Sequence, residues 1–243
     1  MDSTRRTGTV AGLFFVVAAA TAIAALALYH DVLHDARYVV DTSRSDTAVL
    51  LGAALEAVTA ISVVGTATAL WPIIRRESQG VALAYVVGRV LEAAFIAVGI
   101  ISLLAIVTLR QDAAGAAGGD AVSMVTTARA LVALHDWTFL FGPGLAIGVN
   151  TALLAWIMYR SALVPRWIAA VGLAGGPLVF ASSVAVLFGA YAQTSAVAAL
   201  AAAPVFVWEM SLAARLIAKG VVASPAPLDV RSRPTAAVAA LPQ

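Results

Sequence analysis

The fold class of this sequence is decided by one apolar stretch, VALAYVVGRVLEAAFIAVGIISLLAIVT, at residues 81–108. Its only formally charged residues are Arg89 and Glu92. A bilayer hydrocarbon core about 30 Å thick requires roughly 20 apolar residues of helix, so the stretch is long enough to cross it. The sequence therefore predicts a transmembrane helix that carries two opposite charges in its interior.

The composition of the whole chain also indicates a membrane protein. Of the 243 residues, 62% are hydrophobic and 12% are charged, and the mean hydropathy is +0.95, outside the usual range of soluble globular proteins. The apolar runs are continuous, whereas the strands of a membrane barrel alternate polar and apolar residues. We therefore predict an all-α, polytopic membrane helical bundle. Its six transmembrane helices are expected at about residues 9–28, 47–70, 81–108, 131–158, 167–190 and 198–218.

The distribution of basic residues predicts the orientation, because Lys and Arg are enriched on the cytoplasmic side. Ten of them fall at or near one face: Arg5, Arg6, Arg75, Arg76, Arg160, Arg166, Arg215, Lys219, Arg231 and Arg233. Four fall on the other: Arg37, Arg44, Arg110 and Arg129. Both termini are therefore predicted to be cytoplasmic. The first helix follows basic residues as a signal peptide would, but its length and the five later spans favour a retained helix.

Residues 1–220 are expected to form one transmembrane domain. The longer connections, at residues 29–46 and 109–130, are expected outside, and the Gly- and Ala-rich part of the second one is interpreted as a mobile linker. Residues 221–243 contain four prolines and no helical period, so a disordered cytoplasmic tail is predicted.

Small residues and prolines indicate how the helices pack. Gly144 and Gly148 form one G-x-x-x-G motif, and Gly172 and Gly176 form another. Such motifs let helix backbones approach closely in lipid, where hydrophobicity contributes little to association. Three prolines are expected to bend helices four, five and six, because each removes a backbone donor. They are Pro143, Pro177 and Pro204.

Four ionisable residues are predicted to lie deep in the membrane: Glu56, Arg89, Glu92 and Glu209. At about 1.5 Å per residue, each falls roughly 12 to 17 Å from a surface, where a charge costs at least about 2.5 to 3.5 kcal/mol. Arg89 and Glu92 can pair because they are three positions apart. Since three carboxyls face one guanidinium, we expect at least one Glu to be protonated or to bind a cation. The cluster is either a hydrogen-bonded contact between helices or a site for a proton, cation or basic ligand.

Five further polar residues are secondary candidates. His135 and Asp136 are expected in the first turns of helix four, where His135 either relays protons or anchors the helix at the interface. Asn150 is expected to hydrogen-bond across the bundle. His30 and His34 have the i, i+4 spacing of metal ligands, but no third ligand is evident and a soluble loop is the favoured interpretation.

Several function classes are disfavoured by what the sequence lacks. With no cysteine, thiolate chemistry and cysteine-ligated metals are excluded. No phosphate-binding loop, nucleophile elbow or dinucleotide fingerprint is present, and no basic patch is interleaved with aromatics as in nucleic-acid binders. No cofactor is therefore predicted, and an enzyme is the least favoured alternative.

Three segments resemble a known family of bacterial membrane proteins. They are YRSALVPRWIAAVGLAGG at residues 159–176, GRVLEAAF at 88–95 and FVWEMSLAARLIAKGV at 206–221. Together they are similar to the domain of unknown function 4386 family, over about residues 8–221. The resemblance implies a six-helix protein of the bacterial inner membrane, and it implies no catalytic or binding residue.

Small-molecule or proton- or cation-coupled transport is the working hypothesis for function. The alternative is a structural or regulatory membrane protein in which the buried charges only hold helices together. The expected partners are the lipid bilayer and a small ligand, proton or cation, and the sequence leaves the oligomeric state open.

Overall fold

The computed structural model describes residues 3–35, 37–41, 43–115 and 120–221, and the regular structure in these ranges is helical throughout. The helices are α1 (Ser3–Leu28), α2 (His30–His34), α3 (Thr47–Ile74), α4 (Gln79–Gly115), α5 (Ala121–Phe139), α6 (Ile147–Arg160), α7 (Arg166–Leu187) and α8 (Ala196–Lys219). A π-helical segment, Leu140–Ala146, joins α5 to α6 without a break.

Six helices are long and apolar enough to cross a membrane, which confirms the predicted all-α bundle with six spans. They are Arg5–Leu28, Thr47–Ile74, Gln79–Asp112, Ala121–Arg160, Arg166–Leu187 and Ala196–Lys219. In this environment a helix is favoured because it satisfies every backbone polar group within its own segment. The chain is therefore a multi-pass membrane protein.

The second of the long connections was predicted wrongly. Residues 109–130 were expected to form a loop, but α4 continues to Gly115 and α5 already begins at Ala121. Alanine is a strong helix former, and the Asp120 side chain caps α5 by accepting a hydrogen bond from the Val122 amide at 3.1 Å. Of the predicted linker, residues 116–119 lie outside the described residues.

Two other boundaries differ from prediction. The fifth span ends at Leu187 rather than at residue 190, because the chain turns at Gly189, whose φ of +75° is accessible to glycine at little cost. The first connection, residues 29–46, contains the short helix α2 and buries Tyr29, Val32 and Tyr38 against the bundle. The predicted tail, beyond Val221, lies outside the described residues.

The six spans form a closed ring in chain order, in which each packs on the next and α1 packs on both α3 and α8. The outward surfaces carry exposed apolar side chains such as Ile23, Ile61 and Ile101. Several charged and polar side chains, Arg89, Glu92 and Asn150 among them, are buried instead. This arrangement suits a lipid exterior.

Glycines bring α6 and α7 into close contact, as the two G-x-x-x-G motifs predicted. A Cβ at Gly176 would lie 2.7 Å from the Gly148 carbonyl oxygen, so the two backbones touch. Pro177 and Pro204 lie inside α7 and α8, and Pro143 lies in the π-helical segment. Pro143 has no backbone N–H to donate, and the wider π-helical turn changes the hydrogen-bond register so that the helix continues past it.

The two ends of the ring are distinct. The termini face carries the start of α1, the end of α8 and the short connections at residues 75–78 and 161–165; Arg5 and Gly220 lie side by side there. The loop face carries the connections at residues 29–46 and 188–195.

Candidate functional site

Arg89 is the centre of a buried ion-pair network between α4 and α8. Its Nη1 donates to Glu92 Oε2 at 3.2 Å, and its Nη2 donates to Glu209 Oε1 at 2.9 Å. The Arg89 and Glu92 side chains are 3% exposed and that of Glu209 is 14% exposed. The i, i+3 pair expected from the sequence is thus joined by a third charge from α8. A planar guanidinium suits this role because its donors point to several partners at once.

Two neutral residues complete the network. Tyr85, one turn before Arg89, accepts a hydrogen bond from Arg89 Nε at 3.2 Å. Asn150 on α6 donates from Nδ2 to Glu92 Oε2 at 2.8 Å and is fully buried. A Cβ at position 88 would overlap Asn150 Oδ1, so Gly88 provides the space in which Asn150 reaches Glu92. Asn150 therefore bonds across the bundle, as predicted from its depth in the helix.

Glu56 stands apart from the Arg89 network. Its Oε2 accepts a hydrogen bond from the Tyr29 hydroxyl at 3.0 Å, and Glu56 makes no ion pair with any described residue. Burial, followed by the neighbouring Glu56 carboxyl, raises the pKa of Tyr29, which keeps the phenol protonated and able to donate. Sequence reasoning missed Tyr29 because it was assigned to a loop.

One cavity of about 130 Å³ connects the two groups. Its polar lining consists of Tyr29, Glu56, Thr59, Thr66, Arg89, Glu92, His135 and Glu209. All four ionisable residues predicted to lie deep in the membrane therefore face the same space. The volume is close to that of an engineered cavity of roughly 150 Å³ that holds benzene, which limits an occupant to a small molecule or several waters.

Apolar side chains fill the interior on both sides of the cavity. Leu26, Tyr29 and His135 line it toward the loop face, and a core of buried side chains, among them Val32, Val49, Leu103 and Ile106, lies beyond them. Toward the termini face, the interior is filled by fully buried apolar side chains, among them Leu70, Ile74, Leu154, Met158, Leu212 and Leu216. The network at Arg89 therefore lies between an apolar core and a cavity.

His135 lies in the wall of the cavity. It is 4% exposed, because α5 begins at Ala121 and His135 lies well inside the helix. The expected position in the first turns is therefore wrong. Its Nδ1 lies 3.4 Å from Oδ1 of Asp136, whose side chain is 60% exposed. The pair thus connects the wall of the cavity with the protein surface.

His30 and His34 are helical, as their spacing as metal ligands requires. Their rings stack with centroids 4.8 Å apart, and His34 Nδ1 is within 2.9 Å of the His30 carbonyl oxygen. Among the described residues, no group of three His, Asp or Glu side chains has the geometry of a metal site. These histidines have the solvent exposure expected of a surface segment, although it is helical rather than a loop.

Arg110 organises the first connection and was not singled out from the sequence. Its guanidinium donates to the carbonyl oxygens of Asp41 at 2.8 Å and Arg44 at 2.9 Å, and it pairs with Asp46. It also lies over the Tyr38 ring, 4.4 Å from the centroid. The loop-face end of α4 thereby fastens Asp41, Arg44 and Asp46 of the first connection to the bundle. Arg110 was predicted to lie in a mobile loop, and nothing in the sequence indicated that it would bind the first connection.

Comparison with known proteins places the chain in a family. No curated protein and no solved structure gives a significant match. The model of one protein family, described as "Domain of unknown function (DUF4386)", matches residues 10–220, which is most of the chain. The residues that resembled this family include the Arg89, Glu92 and Glu209 positions of the buried network. The chain therefore belongs to the DUF4386 family of domains of unknown function.

Proposed function

We propose that the protein is a membrane carrier for a small ligand whose movement is coupled to a proton or another cation. The observation that carries the proposal is the cavity that connects Glu56 with the Arg89 network. Ionisable groups deep in a membrane protein are costly, and they commonly mark substrate, ion or proton pathways.

The charges around the cavity favour a cationic occupant. Arg89 already pairs with Glu92 and Glu209, so Glu56 is left without a counter-charge. With all groups ionised and His135 neutral, the lining has a formal excess of two negative charges. A proton or cation at Glu56 would reduce this excess and the cost of burying it.

The shape of the bundle is compatible with a carrier. The cavity lies inside the ring, with a buried apolar core between it and each face. A carrier must open this site to each side in turn. The π-helical segment Leu140–Ala146 contributes Pro143 to the cavity wall, and such irregular segments are common at functional sites in helices.

The proposed setting is the bacterial inner membrane, with both termini in the cytoplasm. The support is the excess of basic residues at the termini face, where Arg75, Arg76, Arg160 and Arg166 are exposed. In this orientation the loop face lies outside the cell.

A flux assay tests the proposal. Protein would be reconstituted in liposomes that contain a pH-sensitive dye, and a gradient of sodium or a small organic cation would be imposed. Wild type should change the internal pH faster than empty liposomes, and Glu56→Gln should abolish this difference. Glu77→Gln, which removes an exposed carboxylate in the turn after α3, is the matched control and should behave as wild type. Equal rates for wild type and Glu56→Gln would refute the role of Glu56.

A structural role for the network is the second candidate function. It is favoured by the geometry of Arg89, which is enclosed by partners from α4 and α8. In that case Glu92→Gln and Glu209→Gln would impair folding, and no cation would move through the protein in the flux assay.

A further inference from the structure

Two carboxylate oxygens in the cavity lack a protein donor. Glu56 accepts its one hydrogen bond at Oε2, and Glu209 accepts its one at Oε1, so Oε1 of Glu56 and Oε2 of Glu209 accept none from the described residues. Both residues line the cavity. Glu56 and Glu209 are only partly buried, so these two oxygens are accessible from the cavity and can accept hydrogen bonds from a donor bound there.

The remainder of the lining is mainly apolar and partly aromatic. Tyr29 and Phe139 contribute rings, as does Phe15, whose ring centroid already lies 5.6 Å from the Arg89 guanidinium carbon. Ala18, Ala22, Val63 and Ile96 contribute aliphatic surface. Aromatic faces attract cations, and apolar walls favour an alkyl group. A bare metal ion would leave most of this lining without a complementary partner.

We infer that the cavity binds a small amine in its ammonium form, with the N–H groups directed at Glu56 and a short alkyl chain against the apolar wall. The inference rests on the proposed function, since it names the ligand of the same site. The cavity volume of about 130 Å³ limits the ligand to about the size of butylammonium.

The amine and a proton compete for Glu56. A protonated Glu56 already carries hydrogen on its carboxyl, so binding of the ammonium requires that this proton leave for water. The charged and titratable groups around Glu56 come from four other parts of the ring. They are Tyr29 after α1, Arg89 and Glu92 on α4, His135 on α5 and Glu209 on α8. His135 lies beside Asp136, whose side chain is exposed, so Asp136 is the nearest surface group that can accept the released proton.

Calorimetry on the full-length protein in detergent tests the inference with a matched pair of ligands. Butylammonium and butanol have the same chain length and nearly the same size, and they differ in charge. Butylammonium should bind and butanol should not. At a pH where Glu56 is protonated, binding of butylammonium should release a proton to the buffer. The measured binding enthalpy should therefore change when the buffer is replaced by one with a different ionisation enthalpy. Sodium chloride supplies an inorganic cation for comparison with butylammonium.

Two variants separate the site from the rest of the protein. Glu56→Gln should weaken butylammonium binding at least about tenfold, because it removes a charged acceptor. Glu77→Gln should bind as wild type, since it lies outside the cavity. If Glu56→Gln unfolds, Ala22→Leu replaces it, because it fills the cavity from α1 without changing a charge, and it should also abolish binding.

Each of the other outcomes contradicts the inference that the cavity binds a small amine. Equal binding of butanol would identify an apolar site with no need for charge. Binding of sodium without butylammonium would identify an inorganic cation. If neither ligand binds but the flux assay still depends on Glu56, the amine is wrong and the proposed carrier stands.

Discussion

Arg89 Nη2 and Glu209 Oε1 lie 2.9 Å apart, although 120 positions separate these residues in the chain. The pair joins α4 to α8 across the interior of the ring. Glu92 shares the same guanidinium, so the position of one side chain fixes two carboxylates. The stability of the bundle and the charge in its cavity therefore depend on the same residue.

Replacement of Arg89 by Met should strongly destabilise the protein. The change leaves Glu92 and Glu209 buried without a counter-charge, and removal of one member of a buried ion pair costs roughly 3 to 5 kcal/mol. The free energy of unfolding in mixed detergent micelles is the measurement. Arg129→Met, at an exposed position in α5, is the control and should change it little. Equal stability of the two variants would mean that Arg89 does not hold the network together.

Gly88→Ala should disrupt the contact between Asn150 and Glu92. The added methyl group would overlap Asn150 Oδ1, and overpacking of a buried site costs roughly 1 to 3 kcal/mol. The melting temperature should therefore fall. Gly80→Ala is the control on the same helix, because a Cβ there meets no atom within 4 Å. If both variants melt at the wild-type temperature, α4 and α6 are not packed as described.

Arg110→Met should loosen the connection at residues 37–46. The variant loses hydrogen bonds to two carbonyl oxygens and the pair with Asp46, and these contacts fasten the segment to α4. Amide hydrogen exchange in residues 43–46 should become faster. The control is Arg37→Met, since Arg37 is exposed and its side chain forms no ion pair with a described residue. Unchanged exchange in Arg110→Met would show that the segment is held by other contacts.

The pH dependence of the same connection follows from Asp41. The hydroxyl of Ser43, then its backbone amide, hold the pKa of Asp41 below the ordinary value of 3.8. Because the folded-state pKa is lowered, the stabilisation is complete above the ordinary value and is lost as the pH falls through the lowered one. In an NMR titration, Ser43→Ala should move the pKa of Asp41 back up, whereas Ser45→Ala should leave it unchanged. A wild-type pKa at or above 3.8 would contradict this account.

The spans were predictable because the constraint on them is local. A run of about 20 apolar residues must be helical in lipid, so the six spans could be identified from composition alone. The pairing of Arg89 with Glu92 was equally local, since helical spacing places them on one face. The start of α5 was missed because a segment rich in Ala and Gly was interpreted by its flexibility and not by the helix propensity of alanine.

Contacts across the ring were not predictable in the same way. Depth estimates placed Glu56 with the other carboxyls, but the structure pairs it with Tyr29, which reaches it from the connection after α1. The burial of His135 depended on the true start of α5. The role of Arg110 depended on how residues 37–46 fold back. Each of these results depends on relative positions of segments, which periodicity and hydropathy do not contain.

The most direct test of the central claim, that Glu56 is a titrating cation site in the cavity, is the thermal stability of the purified protein. It would be measured from about pH 5 to about pH 9, where buried carboxyls titrate, with and without a panel of cations. Glu56→Gln should be as stable as wild type but lose the pH- and cation-dependent shift. Glu92→Gln and Glu209→Gln should melt at lower temperatures because they weaken the Arg89 network. If all three variants are destabilised and no cation shifts any of them or the wild type, the buried charges only hold the helices together and the claim is contradicted.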